Sequence, residues 1–290
     1  MEKEIVILCG QGSLPLEFKN LALQKGYKVS TVGVKGITNF RTDFQIPFLG
    51  FIEFENLLRK LKNPQIVMLG KFNPRLPFLV YSSFFFYLKR RLFSFLGKHN
   101  PEKNFHILET LKRNAKNGQP EELIKSFIQY MESKGFKFLP SEEIRAISQP
   151  LLAEEGFLTP QVKIDKDLLE EGKKFFSYAK RIADMDIGQT LVVKNSTVVA
   201  VEGLEGTNKT IERGYKLVGK GFSVIKVART RQDFRIDVPT VGLETLKLLK
   251  KFGVKALFLE AGKVYISRKK KFLEEAQKAN IAVVGIKGTY

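Results

Sequence analysis

Val6 to Phe18 reads VILCGQGSLPLEF: an apolar run, two closely spaced glycines, then a helix-period pattern opened by Pro15. A chain written this way starts as a buried strand, turns tightly and enters a helix. The pattern recurs downstream. Glu4 to Leu8 is read as a strand, and Leu14 to Lys25 as a helix with Leu14, Phe18, Leu21 and Leu23 on its apolar face and Gly26 as its stop. Lys28 to Val34 is a second strand, Phe54 to Leu61 a second helix, and Gln65 to Leu69 a third strand ending at Gly70. Strands alternating with helices require a parallel sheet, because each return to the same sheet edge needs a crossover. The expected fold is therefore α/β, with an N-terminal open parallel-sheet, Rossmann-like domain that binds ligands beyond the carboxyl ends of its strands.

Beyond Gly70 the pattern changes. Pro74 and Pro77 interrupt the chain, and the aromatic stretch VYSSFFFYLKRRLFSFLGK follows, with Lys89, Arg90 and Arg91 at its centre. Helices are expected over 104–116 and 120–134, the latter ended by Gly135. A second α/β region begins near Phe136, so the domains are read as 1–135 and 136–290, with the boundary between Gly135 and Ser148. In it, Asp165 caps a helix running to Ala183, and Asn195-Ser196 turns a hairpin. A helix starts at Thr207, a strand runs from Ser223 to Ala228, and a helix capped by Thr240 runs to Phe252. Strands near Leu257 and Val283 complete the region.

The 290 residues are 43% hydrophobic, enough for a buried core in each half. A single cysteine, Cys9, rules out an intramolecular disulfide and points to a reducing, cytoplasmic setting. The charged opening Met-Glu-Lys-Glu does not resemble a signal peptide, and no run approaches the roughly 20 apolar residues of a membrane span. A net charge of +19 attracts polyanions, whether nucleic acid, anionic lipid headgroups or phosphorylated ligands. A lysine-rich surface adapted to heat is the competing explanation of that charge.

The first loop favours an anion at the start of its helix, through Gly10, Gly12, Ser13, Leu14 and Pro15. It is not a dinucleotide fingerprint: the third glycine is absent, and the second strand ends Val32-Gly33-Val34-Lys35 with no acid for a ribose. The second half collects acids and amides in glycine-containing loops: Asp184, Asp186 and Gln189; Glu202, Glu205, Thr207 and Asn208; and Arg229, Arg231, Gln232, Asp233, Arg235 and Asp237. Carboxylates from several loops suit Mg²⁺, and nearby cations suit phosphate oxygens, the equipment of phosphoryl transfer. Each acid also has a plain alternative, such as Glu205 charging a helix start. One Cys and two separated His leave no zinc signature, and no P-loop is present.

CGQGSLP, DIGQTLVV, VVAVEGLEGTN and QDFRIDVPTVG, in this order, resemble the LpxI-type UDP-2,3-diacylglucosamine pyrophosphatases over nearly the whole chain. The resemblance implies two α/β domains, a Mg²⁺ requirement, and hydrolysis of UDP-2,3-diacylglucosamine to 2,3-diacylglucosamine 1-phosphate (lipid X) and UMP in lipid A synthesis. It implies that Asp237, in RIDVPTVG, is the catalytic aspartate, acting as metal ligand or as base. Asp186, Glu202 and Glu205 are expected beside it as further catalytic residues around the substrate, with Gln189, Thr207, Arg235 and the Gly10–Pro15 loop binding the substrate. The implied partner is a lipid-linked sugar nucleotide. Peripheral contact with the inner membrane and a homodimer are further expectations. Residues 78–97 are a candidate surface for the acyl chains. Where the family carries a Gly-Asp-Asp-x-Leu-Leu pattern, this chain has EKNFHILE. A basic nucleic-acid-binding protein and a nucleotide-dependent oxidoreductase are the rival readings. No nucleic-acid-binding motif supports the former, so nucleic acid is not an expected partner.

Overall fold

A computed structural model describes residues 3–71, 101–115, 120–236 and 238–288. The chain divides into two compact units, Met1–Ile147 with Phe234–Asp237, and Ser148–Asp233 with Val238–Tyr290. Both are α/β, as the alternating pattern requires.

The first unit is built on β1 (Glu4–Cys9), whose six residues are all buried. β1 lies between β2 (Lys28–Val34) and β4 (Gln65–Leu69), parallel to both. β3 (Phe44–Ile46) and β5 (Lys137–Phe138) close the two edges, giving the wholly parallel order β3-β2-β1-β4-β5. The sheet thus takes in residues past position 135. A strand of two residues shows no alternation by which a sequence could announce it.

α1 (Leu14–Gln24) buries Leu14, Pro15, Phe18 and Ala22, whereas Leu23 is exposed. The expected face thus shifts by one position. Residues 14, 18 and 22 follow the i, i+4 row of a helix, and Leu23 lies off it. α2 (Phe51–Arg59) packs below, its Phe54 and Leu58 in a core with Val6, Val32, Ile66 and Met131. Among the described residues this unit adds α3 (Pro101–Asn114), α4 (Pro120–Ser133) and α5 (Ser141–Ser148). Asn104, within the EKNFHILE stretch, accepts from the Ile52 N–H (2.8 Å) and donates to Glu53 (2.9 Å). It therefore satisfies backbone at the start of α2, a job any side chain there would have to leave or replace. The aromatic segment 78–97 lies outside the described residues.

The second unit holds a mixed sheet of order β6-β13-β11-β9-β7-β8. β9 (Ser223–Lys226), β11 (Ala256–Glu260) and β13 (Ala282–Ile286) run parallel at its centre. β6 (Gly156–Phe157) and β7 (Thr190–Lys194) flank them antiparallel, and β8 (Thr197–Val201) returns from β7. The hairpin between β7 and β8 turns at Asn195 and Ser196, both left-handed (φ 50° and 55°), as the sequence predicts. α6 (Lys166–Asp184) covers one face. Its Gly172 sits against the ring of Phe258, where a methyl group would collide. Asp165 occupies the position before α6 but makes no side-chain capping bond.

α7 (Thr207–Val218), α8 (Leu243–Lys251) and α9 (Lys269–Lys278) supply the remaining helices. The helix expected from Thr240 starts instead at Leu243, with Gly242 before it. Thr240–Val241 forms β10, paired with β12 (Tyr265–Ile266). Pro239 explains the shift. Its carbonyl accepts the Tyr265 N–H, so the chain is already committed to extended pairing there. Among the described residues no helix is long and apolar enough to cross a membrane.

One carboxylate ties the outer edge of the first unit together. Asp43 accepts from the Thr31 N–H (2.8 Å), the Thr31 hydroxyl (2.7 Å) and Lys19 (2.9 Å). Burial alone would raise its pKa, but these donors outweigh it and hold the group at about 2. A lowered folded pKa means the stabilisation is present above the unfolded value and lost as pH falls through the folded one. Asp43→Asn should therefore be less stable than the parent at neutral pH. The difference should shrink between about pH 4, an ordinary aspartate value, and about pH 2. Urea melts across that range measure it, and a gap independent of pH would contradict this.

Candidate active site

The carboxyl ends of β9 and β11 gather most of the polar side chains that the sequence singles out in the second unit. Thr190 of β7 stands in register with Lys226 at the end of β9, and Lys226 neighbours Leu259 of β11. This is where ligands meet open α/β sheets, since loops rather than helices begin there.

Lys226 is 4% exposed and closes β9 directly after Val224 and Ile225. Its Nζ donates to Thr207 Oγ1 (2.7 Å) and Thr190 Oγ1 (3.0 Å), and stands 3.6 Å from Glu202 Oε2. Thr207 passes a hydrogen bond to Glu202 Oε1 (2.9 Å). Glu202 is half of a buried pair. Burial works against its charge, but Lys226, the two threonines and the Gln189 backbone together hold its carboxyl below the usual range. Its Oε2 has no hydrogen-bond donor among the described residues. Thr207 opens α7 behind the left-handed Gly206 (φ 80°), so the first amides of that helix face the same end of the sheet as Lys226. An ammonium, hydroxyls and helix-start amides form a donor-rich setting for an anionic oxygen.

Gln189 adjoins this cluster through its amide, which donates to Gln232 (3.2 Å), while its carbonyl accepts the Val227 N–H (2.9 Å). Gly188 is required beside it, because a Cβ there would strike the Glu202 carbonyl. Asp186, at φ 58°, is paired with Arg229. Glu205 turns to its own helix. It accepts from Arg213 (2.7 Å), Thr210 (3.2 Å) and the Gly203 N–H (3.1 Å), which braces the loop between β8 and α7. Burial opposes its charge, and these donors lower its pKa regardless.

Of the remaining expected residues, Arg235 lies with the first unit, 3.7 Å from Glu132. Asp237 lies outside the described residues. The Gly10–Pro15 turn closes the carboxyl end of β1 in the first unit. Gly10 donates to the Leu69 carbonyl (2.8 Å), and Gln11 and Lys71 exchange backbone bonds at 2.9 Å. A Cβ on Gly10 would come within 2.8 Å of the Gly70 and Lys71 backbone. That glycine is thus fixed by one loop touching another. Gly12 is left-handed (φ 94°), and its N–H already donates to Asn39 (3.2 Å). Leu14 and Pro15 are buried in the helix start, and Ser13 precedes them without capping through its side chain.

The expected Mg²⁺ ligand, Asp237, lies outside the described residues. Among the described residues no three His, Cys, Asp or Glu side chains gather as a metal-binding group. Glu202 faces Lys226, Glu205 faces Arg213, and Asp186 faces Arg229. These three carboxylates are matched to cations of the chain itself.

The fold and the sheet-end cluster define a protein of two α/β units whose second unit gathers buried polar donors at one end of its sheet. Residues 4–146 match the LpxI N-terminal domain, and residues 154–284 match the LpxI C-terminal domain. The chain belongs to the LpxI family. The UDP-2,3-diacylglucosamine pyrophosphatase LpxI of Caulobacter vibrioides is 24% identical over 192 residues, 63% of this chain and 67% of that protein.

Sequence reading passes over Lys226. A lysine set among the apolar residues Val224, Ile225, Val227 and Ala228 is itself a signal, because a buried ammonium needs partners. Removing it tests the pairing. Lys226→Met should leave the Glu202 carboxylate without its charge partner and cost about 3 kcal/mol at neutral pH. Lys226→Met combined with Glu202→Gln should cost less than the single change, as measured by urea denaturation. The penalty of the single change should fade in acid. Glu202 has a lowered folded pKa, so its ion pair stabilises above the ordinary glutamate value and is lost as pH falls through the folded one.

Proposed function

We propose that this chain hydrolyses the pyrophosphate bond of UDP-2,3-diacylglucosamine, releasing 2,3-diacylglucosamine 1-phosphate and UMP. The observation that carries it is the match of both halves to the two LpxI domains, with the donor cluster of Lys226, Thr190 and Thr207 at the sheet end. In this reading water attacks the phosphorus next to uridine. Lys226 and the first amides of α7 offset charge that grows on phosphoryl oxygens. Gln189 and Gln232 offer amide groups to neutral parts of the substrate. Asp237 then receives the proton from water or holds a cation; both roles rest on the family motif.

Purified protein incubated with the sugar nucleotide should yield UMP, and ¹⁸O-labelled water should place its label in UMP. Label in the sugar phosphate would contradict attack next to uridine. Asp237→Ala should lower kcat by roughly 10²-fold or more while circular dichroism and Tm stay near the parent's. A folded variant with near-normal turnover removes the assignment. Dependence on Mg²⁺ is part of the proposal on the family resemblance alone, without support from the described carboxylates. Undiminished activity in EDTA ends it.

The acyl chains are assigned to residues 78–97 on their aromatic and basic make-up, which suits work at the cytoplasmic face of the inner membrane. Replacing Phe84, Phe85 and Phe86 together with serine should raise KM for a long-chain substrate more than for a short-chain analogue. Equal effects on both speak for damage to the fold instead.

A further inference from the structure

The segment from Val227 to Asp233 joins β9 to the RIDVPTVG motif and has no helix or strand of its own. A backbone that leaves a sheet while buried must still satisfy its N–H and C=O groups. Here side chains do so. The Ala228 N–H donates to Glu260 Oε2 (2.8 Å), and the Ala228 carbonyl accepts from Lys180 (2.5 Å). Two residues on, the Thr230 N–H donates to Asp184 Oδ1 (2.6 Å), its hydroxyl to Asp184 Oδ2 (2.7 Å), and its carbonyl accepts from Lys263 (3.1 Å).

Three of the four side chains are themselves joined. Lys180 Nζ lies 3.1 and 3.0 Å from the two oxygens of Glu260, and Lys263 lies 3.3 Å from Oε1. Lys180 and Asp184 are four residues apart on α6, so one helical face carries both a donor and an acceptor to the segment. Lys180 is 6% and Glu260 1% exposed. A buried ion pair is poor value as a source of stability, since apolar residues of similar volume often do as well. Apolar residues could not, however, meet the N–H and the C=O of one residue at once. An acid and a lysine in contact can. The pair replaces the neighbouring strand at the point where the ladder of β9 ends.

We propose that Lys180, Glu260, Lys263 and Asp184 are positioning residues, which fix residues 228–233 and thereby the placement of Gln232. This rests on the hydrolase reading for its effect on turnover, but not for its effect on the segment. A positioning role predicts loss of kcat without matching loss of binding or stability, because small misplacements of reacting groups cost much rate.

Two variants test it. Lys180→Met with Glu260→Leu removes both buried charges together, and Lys263→Met removes a more accessible tie that leaves the core untouched. In each, amide hydrogen exchange should quicken by about tenfold or more at residues 228–233, with β9 and β11 protected as in the parent. The kcat should fall by about tenfold or more with KM within about twofold, and Lys263→Arg, which keeps the donor, should recover most of it. Unchanged exchange in Lys263→Met overturns the proposal. So does faster exchange with normal kcat, or a kcat that falls only as Tm falls. A parent protein inactive on the sugar nucleotide would sink the hydrolase reading, while the exchange data would still decide whether the four side chains hold the segment.

Discussion

Two neighbouring strands of the second unit end in buried charges of opposite sign, Lys226 on β9 and Glu260 on β11, and these two do not neutralise each other. Lys226 turns to Glu202 and the threonines, and Glu260 turns to Lys180 and Lys263. A charge placed in low dielectric demands a partner, and each demand draws a different loop onto the sheet. The Lys226 group fixes the loop from β8 to α7 through Glu202 and Thr207. The Glu260 group fixes the loop after β9. The polar surface at this end of the sheet is therefore arranged by what the core requires of its last residues. The apolar layers beneath, with Phe258 and Leu259 fully buried, make that requirement stringent.

Much of the architecture was legible because hydrophobic period survives translation into structure. Lys28–Val34 and Gln65–Leu69 form strands over the residues expected, and the Asn195-Ser196 turn adopts the left-handed pair that such a hairpin needs. What escaped reading was short or dictated from afar. β5, β10 and β12 have two residues each, and only their partners make them strands. Thr240 looked like a helix cap because its side chain suits one, yet its hydroxyl bonds to the Val238 carbonyl and the helix begins later.

The site was legible in part, and for a similar reason. Acids in glycine loops attract notice, and Glu202, Asp186 and Gln189 do lie at or beside one sheet end. A sequence gives no direction to a carboxylate, though. Glu205 reads like Glu202, yet it faces Arg213 on its own helix. Lys226 and Lys180 were overlooked because lysine is presumed to be solvated when read alone. The glycines of the first loop carry a parallel lesson. Gly10 is explained by the backbone of Gly70 and Lys71 pressing against it, which needs no phosphate.

The short run from Phe234 to Ile236 has a practical corollary for anyone dissecting this chain. Its neighbours on both sides belong to the second unit, yet Ile236 is 3% exposed within the core of the first, and the Phe234 N–H donates to Ser141 (2.8 Å). No single cut between the halves frees two self-sufficient pieces. A fragment ending near position 147 would keep a dent where Ile236 belongs, and its complement would carry Phe234 and Ile236 bare to water. Expressed alone, that complement would be inclined to associate through the strip, so co-expression of the halves is the sounder route to a split form.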